Sequence, residues 1–224
     1  MSTLYIVGTP IGNLKDISPR ALEVLKGVDL ILCEDTRESK KLLDFYQIKT
    51  PVLSYHQHSR LEKTEYIINL LGQGKNLALI SDAGTPGISD PGNKLIELVA
   101  KEVPNTVIVS IPGPSAVIAA ASISGFPMDK FLFLGFPPTK NKRKKFFEEA
   151  VNSEYPVIFY ESPYRILKTL NELRDADPEL LVVVARELTK KFETIYRGSI
   201  EKVIQEIEKG AVKGEFVVII KGKD

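Results

Sequence analysis

Short apolar runs alternate with amphipathic stretches along this whole chain, and that alternation most restricts what it can fold into. Leu4-Tyr-Ile-Val-Gly8 has the length and composition of a strand. Ser18-Pro19 then opens a helix, with Ser as N-cap and Pro at the first helical position. Leu22, Val24, Leu25 and Val28 supply its buried side. The same pattern predicts strands at 28–33, 52–55, 77–81 and 106–111, and helices at 37–45, 62–71 and 93–101. Crossovers of helical length imply mostly parallel pairing, with helices on both faces of one sheet.

Pro112-Gly-Pro114 breaks the pattern. With 224 residues, the chain suits two small α/β domains, 1–112 and 113–224. In the second half, a buried helix is predicted at 115–123, with further helices at 143–151, 164–174 and 200–209. Strands are predicted at 131–135, 157–161, 180–185, 193–197 and 216–221. Only Leu188-Thr-Lys-Lys191 separates the third and fourth of these, so an antiparallel hairpin and a mixed sheet are expected.

Composition adds boundaries. Cys33 is the only cysteine, which excludes an internal disulfide, and its apolar surroundings suit a small buried hydrophobe. No charged-then-apolar leader opens the chain and no apolar run reaches membrane-spanning length, so a cytoplasmic protein with no membrane role is expected. The net charge of +1 conceals the run Lys140-Asn-Lys-Arg-Lys-Lys145, five cations in six residues. Such a run suits a polyanion or a solvated helix start equally.

Ligands of open α/β sheets sit beyond the carboxyl ends of the strands. The first strand ends in Gly8-Thr-Pro-Ile-Gly12, whose glycine spacing and Pro10 do not fit the dinucleotide fingerprint. The fourth ends in Ser81-Asp-Ala-Gly-Thr-Pro-Gly-Ile-Ser-Asp-Pro-Gly92, a loop whose glycines suit close backbone approach to a ligand. Asp82 is suited to a ribose hydroxyl or an ammonium group, and Asp90 reads as a helix N-cap. Glu161-Ser-Pro-Tyr-Arg165 and Ala185-Arg-Glu-Leu-Thr-Lys190 end two later strands. His56 and His58 form an H-x-H pair without a third ligand, so no metal is expected.

Seven motifs occur in order: Gly8-Thr-Pro-Ile-Gly-Asn-Leu14, Glu34-Asp-Thr-Arg37, Ser81-Asp-Ala-Gly-Thr-Pro86, Asp90-Pro-Gly92, Pro112-Gly-Pro114, Tyr160-Glu-Ser162 and Ala185-Arg-Glu-Leu-Thr-Lys190. Together they resemble the small-subunit ribosomal RNA methyltransferase I family, a branch of the tetrapyrrole methylase superfamily. The resemblance spans residues 4 to about 221. It implies a two-domain α/β homodimer that holds S-adenosyl-L-methionine in a cleft between its domains. The implied reaction methylates the ribose 2′-hydroxyl of a decoding-centre cytidine in 16S rRNA. The implied cofactor contacts are Pro10, Ile11, Asp82, Gly84, Thr85, Ser115, Ala116, Tyr160, Ala185 and Glu215. Tyr164 stands where the family often has His, and Ser59 where it often has Asn.

The reaction needs alignment of donor and hydroxyl, which supplies about 7–11 kcal/mol in well-oriented systems. A general base adds about 10²–10⁴-fold, and His58, Glu161 and Glu187 are the candidates. Arg37, Arg165, Arg186 and Lys190 suit phosphates of 16S rRNA or of the small ribosomal subunit, as do Lys142, Arg143 and Lys144 in the basic run. The competing reading of those arginines is salt bridges between domains. The rival functions are a methyltransferase of the same fold acting on a tetrapyrrole or a protein, and a non-catalytic ribosome-assembly factor.

Overall fold

A computed structural model describes residues 1–56, 61–210 and 212–223. The chain divides into two compact units, Met1–Ser115 and Ala116–Asp224. The division falls three residues beyond the Pro112 boundary read from the sequence.

The first unit contains β1 (Thr3–Val7), α1 (Pro19–Gly27), β2 (Leu30–Cys33), α2 (Thr36–Phe45), β3 (Val52–Ser54), α3 (Leu61–Gly72), β4 (Leu77–Leu79), α4 (Asn93–Glu102) and β5 (Val107–Ile111). A short 3-10 turn, Leu14–Asp16, precedes α1 and was not expected from the sequence. Ser18 caps α1 by accepting from the Ala21 amide, as its position before Pro19 predicts. All strand pairs are parallel, in the order β3-β2-β4-β1-β5.

Strand periodicity sends alternate side chains to opposite faces. Val7, Ile31, Cys33 and Ala78 pack with Ala21 and Leu25 of α1 and with Leu42 and Leu43 of α2. Leu4, Ile6, Leu32, Leu77 and Leu79 pack with Ile67 and Leu71 of α3 and with Leu95 and Val99 of α4. β2 and β4 are neighbours, yet the helices that follow them cover opposite faces. Divergence of this kind opens a crevice beyond the carboxyl ends of the two strands.

The second unit contains α5 (Ala116–Ser122), β6 (Leu132–Phe133), α6 (Arg143–Val151), β7 (Val157–Glu161), α7 (Ile166–Ala176), β8 (Leu181–Arg186), β9 (Thr194–Ser199), α8 (Ile200–Glu208) and β10 (Phe216–Ile220). Its sheet runs β6-β7-β10-β8-β9 and is mixed: β6 pairs parallel to β7, and the remaining pairs are antiparallel. The β8–β9 hairpin agrees with the sequence reading. Val157, Phe159, Val182, Val184, Phe216, Val218 and Ile220 meet α6, α7 and α8. α5 packs against β7 and β10. Among the described residues no helix is long and apolar enough to cross a membrane.

Candidate active site

In the first unit the loops after β1, β4 and β5 converge. Thr9 and Gly84 exchange backbone hydrogen bonds, Thr9 N to Gly84 O at 2.8 Å and Gly84 N to Thr9 O at 3.1 Å. The buried Thr9 hydroxyl donates to the carbonyls of Ser81 and Gly84. Gly8 and Gly113 touch so closely that a Cβ on Gly8 would lie 2.8 Å from Gly113 Cα. The Thr85 hydroxyl donates to Pro114 O at 3.3 Å. Gly84 has φ +84°, and a Cβ there would stand 3.4 Å from Ile11 Cγ2 and 3.6 Å from Pro114 O. The structure therefore brings Ile11, Gly84 and Thr85 together beside Pro114. Pro10 and Ile11 are buried, Ser115 is half-buried, and Asp82 is exposed.

Asp82 Oδ1 accepts from the Asp35 amide at 3.1 Å, which ties the start of α2 to the β4 loop. Asp35 is the N-cap of α2 and binds the Arg37 guanidinium, Nη2 to Oδ2 at 2.6 Å. The Arg37 hydrogen bonds hold the Asp35 carboxyl well below the usual carboxylate range. Burial, followed by the charges of Asp82 and Asp35, raises the Glu34 carboxyl, with His56 opposing.

Asp90 is a correction. It is not the N-cap of α4; Gly92 occupies that position, with no side-chain cap. The Asp90 carboxyl is pushed up to about 6 by burial, against a hydrogen bond from Ser81, and Glu34 and Asp82 raise it further. Sequence reasoning missed this because Asp before Pro-Gly resembles an ordinary cap.

In the second unit the strand ends carry a buried ionic network. Glu161 Oε1 accepts from the Ser162 amide at 2.7 Å and from Arg165 Nη2 at 2.9 Å. Its Oε2 accepts from the Thr169 hydroxyl at 2.5 Å and faces Arg143 Nη2 at 3.7 Å. Arg143 also donates to Glu172, Pro138 O and Thr169 at 2.7, 2.9 and 2.6 Å. Arg165 donates to Pro137 O and the Ser162 hydroxyl.

Two of the expected site residues are engaged in this network. The Glu161 side chain is fully buried and both of its oxygens are occupied. Arg143 is 5% exposed and turned into this network. Arg165 is also engaged within its own unit. The run at 140–145 is thus divided: Lys142 is exposed, while Lys144 and Lys145 pair one turn on with Glu148 and Glu149 at 3.7 and 3.5 Å.

The end of β8 meets the start of β10. The Glu187 amide donates to Glu215 O at 2.9 Å, and the Glu215 amide donates to Glu187 Oε1 at 2.9 Å. Lys190 Nζ bridges Glu187 Oε1 and Glu215 Oε2 at 3.0 and 2.9 Å. Arg186 Nε donates to Lys213 O at 2.6 Å. Burial works to raise the Glu187 carboxyl, but the bonds from Lys190 and the Glu215 amide outweigh it and leave it lowered. Glu187 and Thr189 both have positive φ, 52° and 64°, which costs about 1–3 kcal/mol each and marks a shape held by its surroundings.

Tyr160 meets Phe133 edge to face and Phe136 at a tilt, with centroids at 5.1 and 5.3 Å. Ala185 is buried within the β8 ladder, and Ala116 begins α5. Among the described residues no group of three or more His, Cys, Asp or Glu side chains is placed to hold a metal ion. His58 lies outside the described residues.

Comparison with known proteins supplies the family. The profile for Tetrapyrrole (Corrin/Porphyrin) Methylases matches residues 3–204. The chain is 43% identical over 224 residues to a protein of Thermotoga maritima named "Ribosomal RNA small subunit methyltransferase I", covering 100% of both chains. It is 46% identical to the Synechocystis protein of that name, covering 99% of this chain and 80% of the relative. The Bacillus subtilis protein of that name is 41% identical, with 100% and 76% covered. Among solved structures, a cobalt precorrin-4 methyltransferase superposes with TM-score 0.70 at 18% identity, covering 98% of this chain and 94% of the other. A uroporphyrin-III-C-methyltransferase from Thermus thermophilus gives TM-score 0.66 at 16% identity, with 97% and 93% covered. At such identities these two establish the fold.

Proposed function

Because the chain belongs to the tetrapyrrole methylases, and among them to the ribosomal RNA small subunit methyltransferase I family, we propose that it methylates 16S rRNA of the small ribosomal subunit. The position we assign is the ribose 2′-hydroxyl of a decoding-centre cytidine. The observation that carries this reading is 43% identity to the Thermotoga maritima relative along the full length of both chains. Homodimerisation and a cytoplasmic location are parts of the same proposal.

S-adenosylmethionine would supply an electrophilic methyl group. The first unit suits it: Gly84 leaves open the volume that a Cβ would fill beside Ile11, and Asp82 offers an exposed carboxylate for a ribose hydroxyl or an ammonium group. Ile11, Gly84, Thr85 and Asp82 would hold it, with Pro10, Ser115 and Ala116 beside them. We also assign Tyr160, Ala185 and Glu215 of the second unit as cofactor contacts. These residues act by positioning, which accounts for about 7–11 kcal/mol in comparable reactions. With Glu161 removed from the candidates, His58 is the base we assign, since imidazole titrates near neutrality. Arg37, Lys142 and Lys144 are assigned to phosphates of the RNA.

The test is mass mapping of methylated nucleotides in 16S rRNA from cells with and without the protein. One ribose methyl should disappear from a cytidine in its absence and return with the purified protein and S-adenosylmethionine. An unchanged map combined with tight cofactor binding would favour a non-catalytic assembly factor.

A further inference from the structure

β8 and β10 are neighbours in the sheet, but no tight turn joins them; β9 and α8 intervene. The segment Lys213–Glu215, which enters β10, is therefore not fixed by a hairpin. One backbone bond, from the Glu187 amide to Glu215 O, and a set of side chains fix it instead. Arg186 holds the Lys213 carbonyl, Glu187 takes the Glu215 amide, and Lys190 joins the two carboxylates. Gly214 has φ +95°, and a Cβ there would collide with the Glu187 carboxyl group, so the Glu187 side chain lies directly over that backbone. On the other side, Glu187 and Thr189 are held in left-handed conformations without being glycine. Two strained residues within three positions persist only where the surroundings over-determine them.

We propose that Glu187 is a positioning residue: with Lys190 it clamps Lys213–Glu215 to the end of β8 and so keeps the loops bearing Ala185 and Glu215 in one cofactor-binding shape. This rests on the cofactor reading above. It withdraws Glu187 from the role of base and Arg186 and Lys190 from RNA phosphates. Glu187 Oε1 already accepts two hydrogen bonds, and the lowered affinity of its carboxyl for protons is the opposite of what proton abstraction near neutrality requires.

The test compares Glu187→Ala, Glu187→Gln and Lys190→Met with the intact chain. It measures S-adenosylhomocysteine affinity by calorimetry, kcat and KM for each substrate, and the pH profile of kcat. Glu187→Gln keeps an acceptor for the Glu215 amide, so its affinity should fall less than threefold, with kcat and the pH profile unmoved. Glu187→Ala should weaken S-adenosylhomocysteine at least tenfold and raise KM for S-adenosylmethionine, leaving KM for RNA unchanged. Lys190→Met should fall between the two, and it carries the test if Glu187→Ala does not fold. A Glu187→Gln variant with normal affinity but kcat reduced a hundredfold would overturn the proposal and restore Glu187 as a base. Unchanged cofactor affinity in Glu187→Ala or, failing that, in Lys190→Met would also overturn it. An intact chain that binds no S-adenosylhomocysteine would instead refute the cofactor reading, and the clamp's function with it.

Discussion

Thr9 and Gly84 face each other as an isolated antiparallel bridge, each amide bonded to the other's carbonyl, between the loops of two strands that run parallel. The bridge sets the height of the Gly84 peptide above the sheet and brings it to Ile11. It makes the conformation of residue 84 a condition for the shape of both loops.

Gly84→Val should therefore lose cofactor binding. At φ +84° a β-branched side chain is strained wherever it points, at a cost of about 1–3 kcal/mol. Its Cβ would also take the space beside Ile11. We expect S-adenosylhomocysteine affinity reduced at least tenfold in calorimetry, and a melting temperature lowered by several degrees with the fold retained. Normal binding by a normally melting variant would reduce the loop to a structural turn.

Arg143→Ala should act on stability. It leaves Glu161 buried with one guanidinium partner fewer, and removing one member of a buried ionic set costs about 3–5 kcal/mol. Denaturant melts should show that loss, with Glu161→Gln showing a comparable one. The double variant should lose less than the sum, because the two residues share Thr169. Strictly additive losses would contradict a shared network.

With Arg143 turned inward, Lys140, Lys142, Lys144 and Lys145 are the part of the basic run that can meet a polyanion, and the last three sit at the start of α6. Changing Lys142, Lys144 and Lys145 together to Ala should weaken binding to the ribosomal substrate and flatten its log–log salt dependence by roughly two units, at about 0.7–0.9 per phosphate contact. Affinity for S-adenosylmethionine should not change. Identical salt slopes would identify these lysines as a solvated helix start, as their pairing with Glu148 and Glu149 also permits.

Asp90 gives a pH dependence of defined sign. Its carboxyl titrates at about 6 in the folded chain, above the 3.8 of a free group. Between those values the folded state holds a proton that the unfolded chain has released, so stability from this group falls as pH rises through the window. Asp90→Asn should thus gain on the intact chain as pH is raised from 4 to 7. Thermal melts at steps of one pH unit measure this, and a melting-temperature difference that stays constant over the range would refute it.

Sequence by itself determined the alternation of elements, the parallel first sheet, the β8–β9 hairpin and the family. These rest on local quantities: the period of apolar residues, capping signals such as Ser18-Pro19, and loops whose glycines are demanded by backbone shape. The convergence of Ile11 with Gly84 and Thr85 was legible only as two separate motifs, and the tertiary structure decided that they meet. It alone also decided what individual charges do. Arg143 is one of five cations that look alike along the chain, but as the first residue of α6, after the N-cap Lys142 at φ +64°, it turns inward to Glu161 and Glu172. Glu187 and Glu215 lie 28 residues apart, and only the antiparallel register of β8 and β10 puts one carboxylate over the other's amide. Which way a charged side chain turns is decided by long-range register and burial, because a charge changes partner with every rotation of its backbone, while an apolar residue at the right spacing needs only the core.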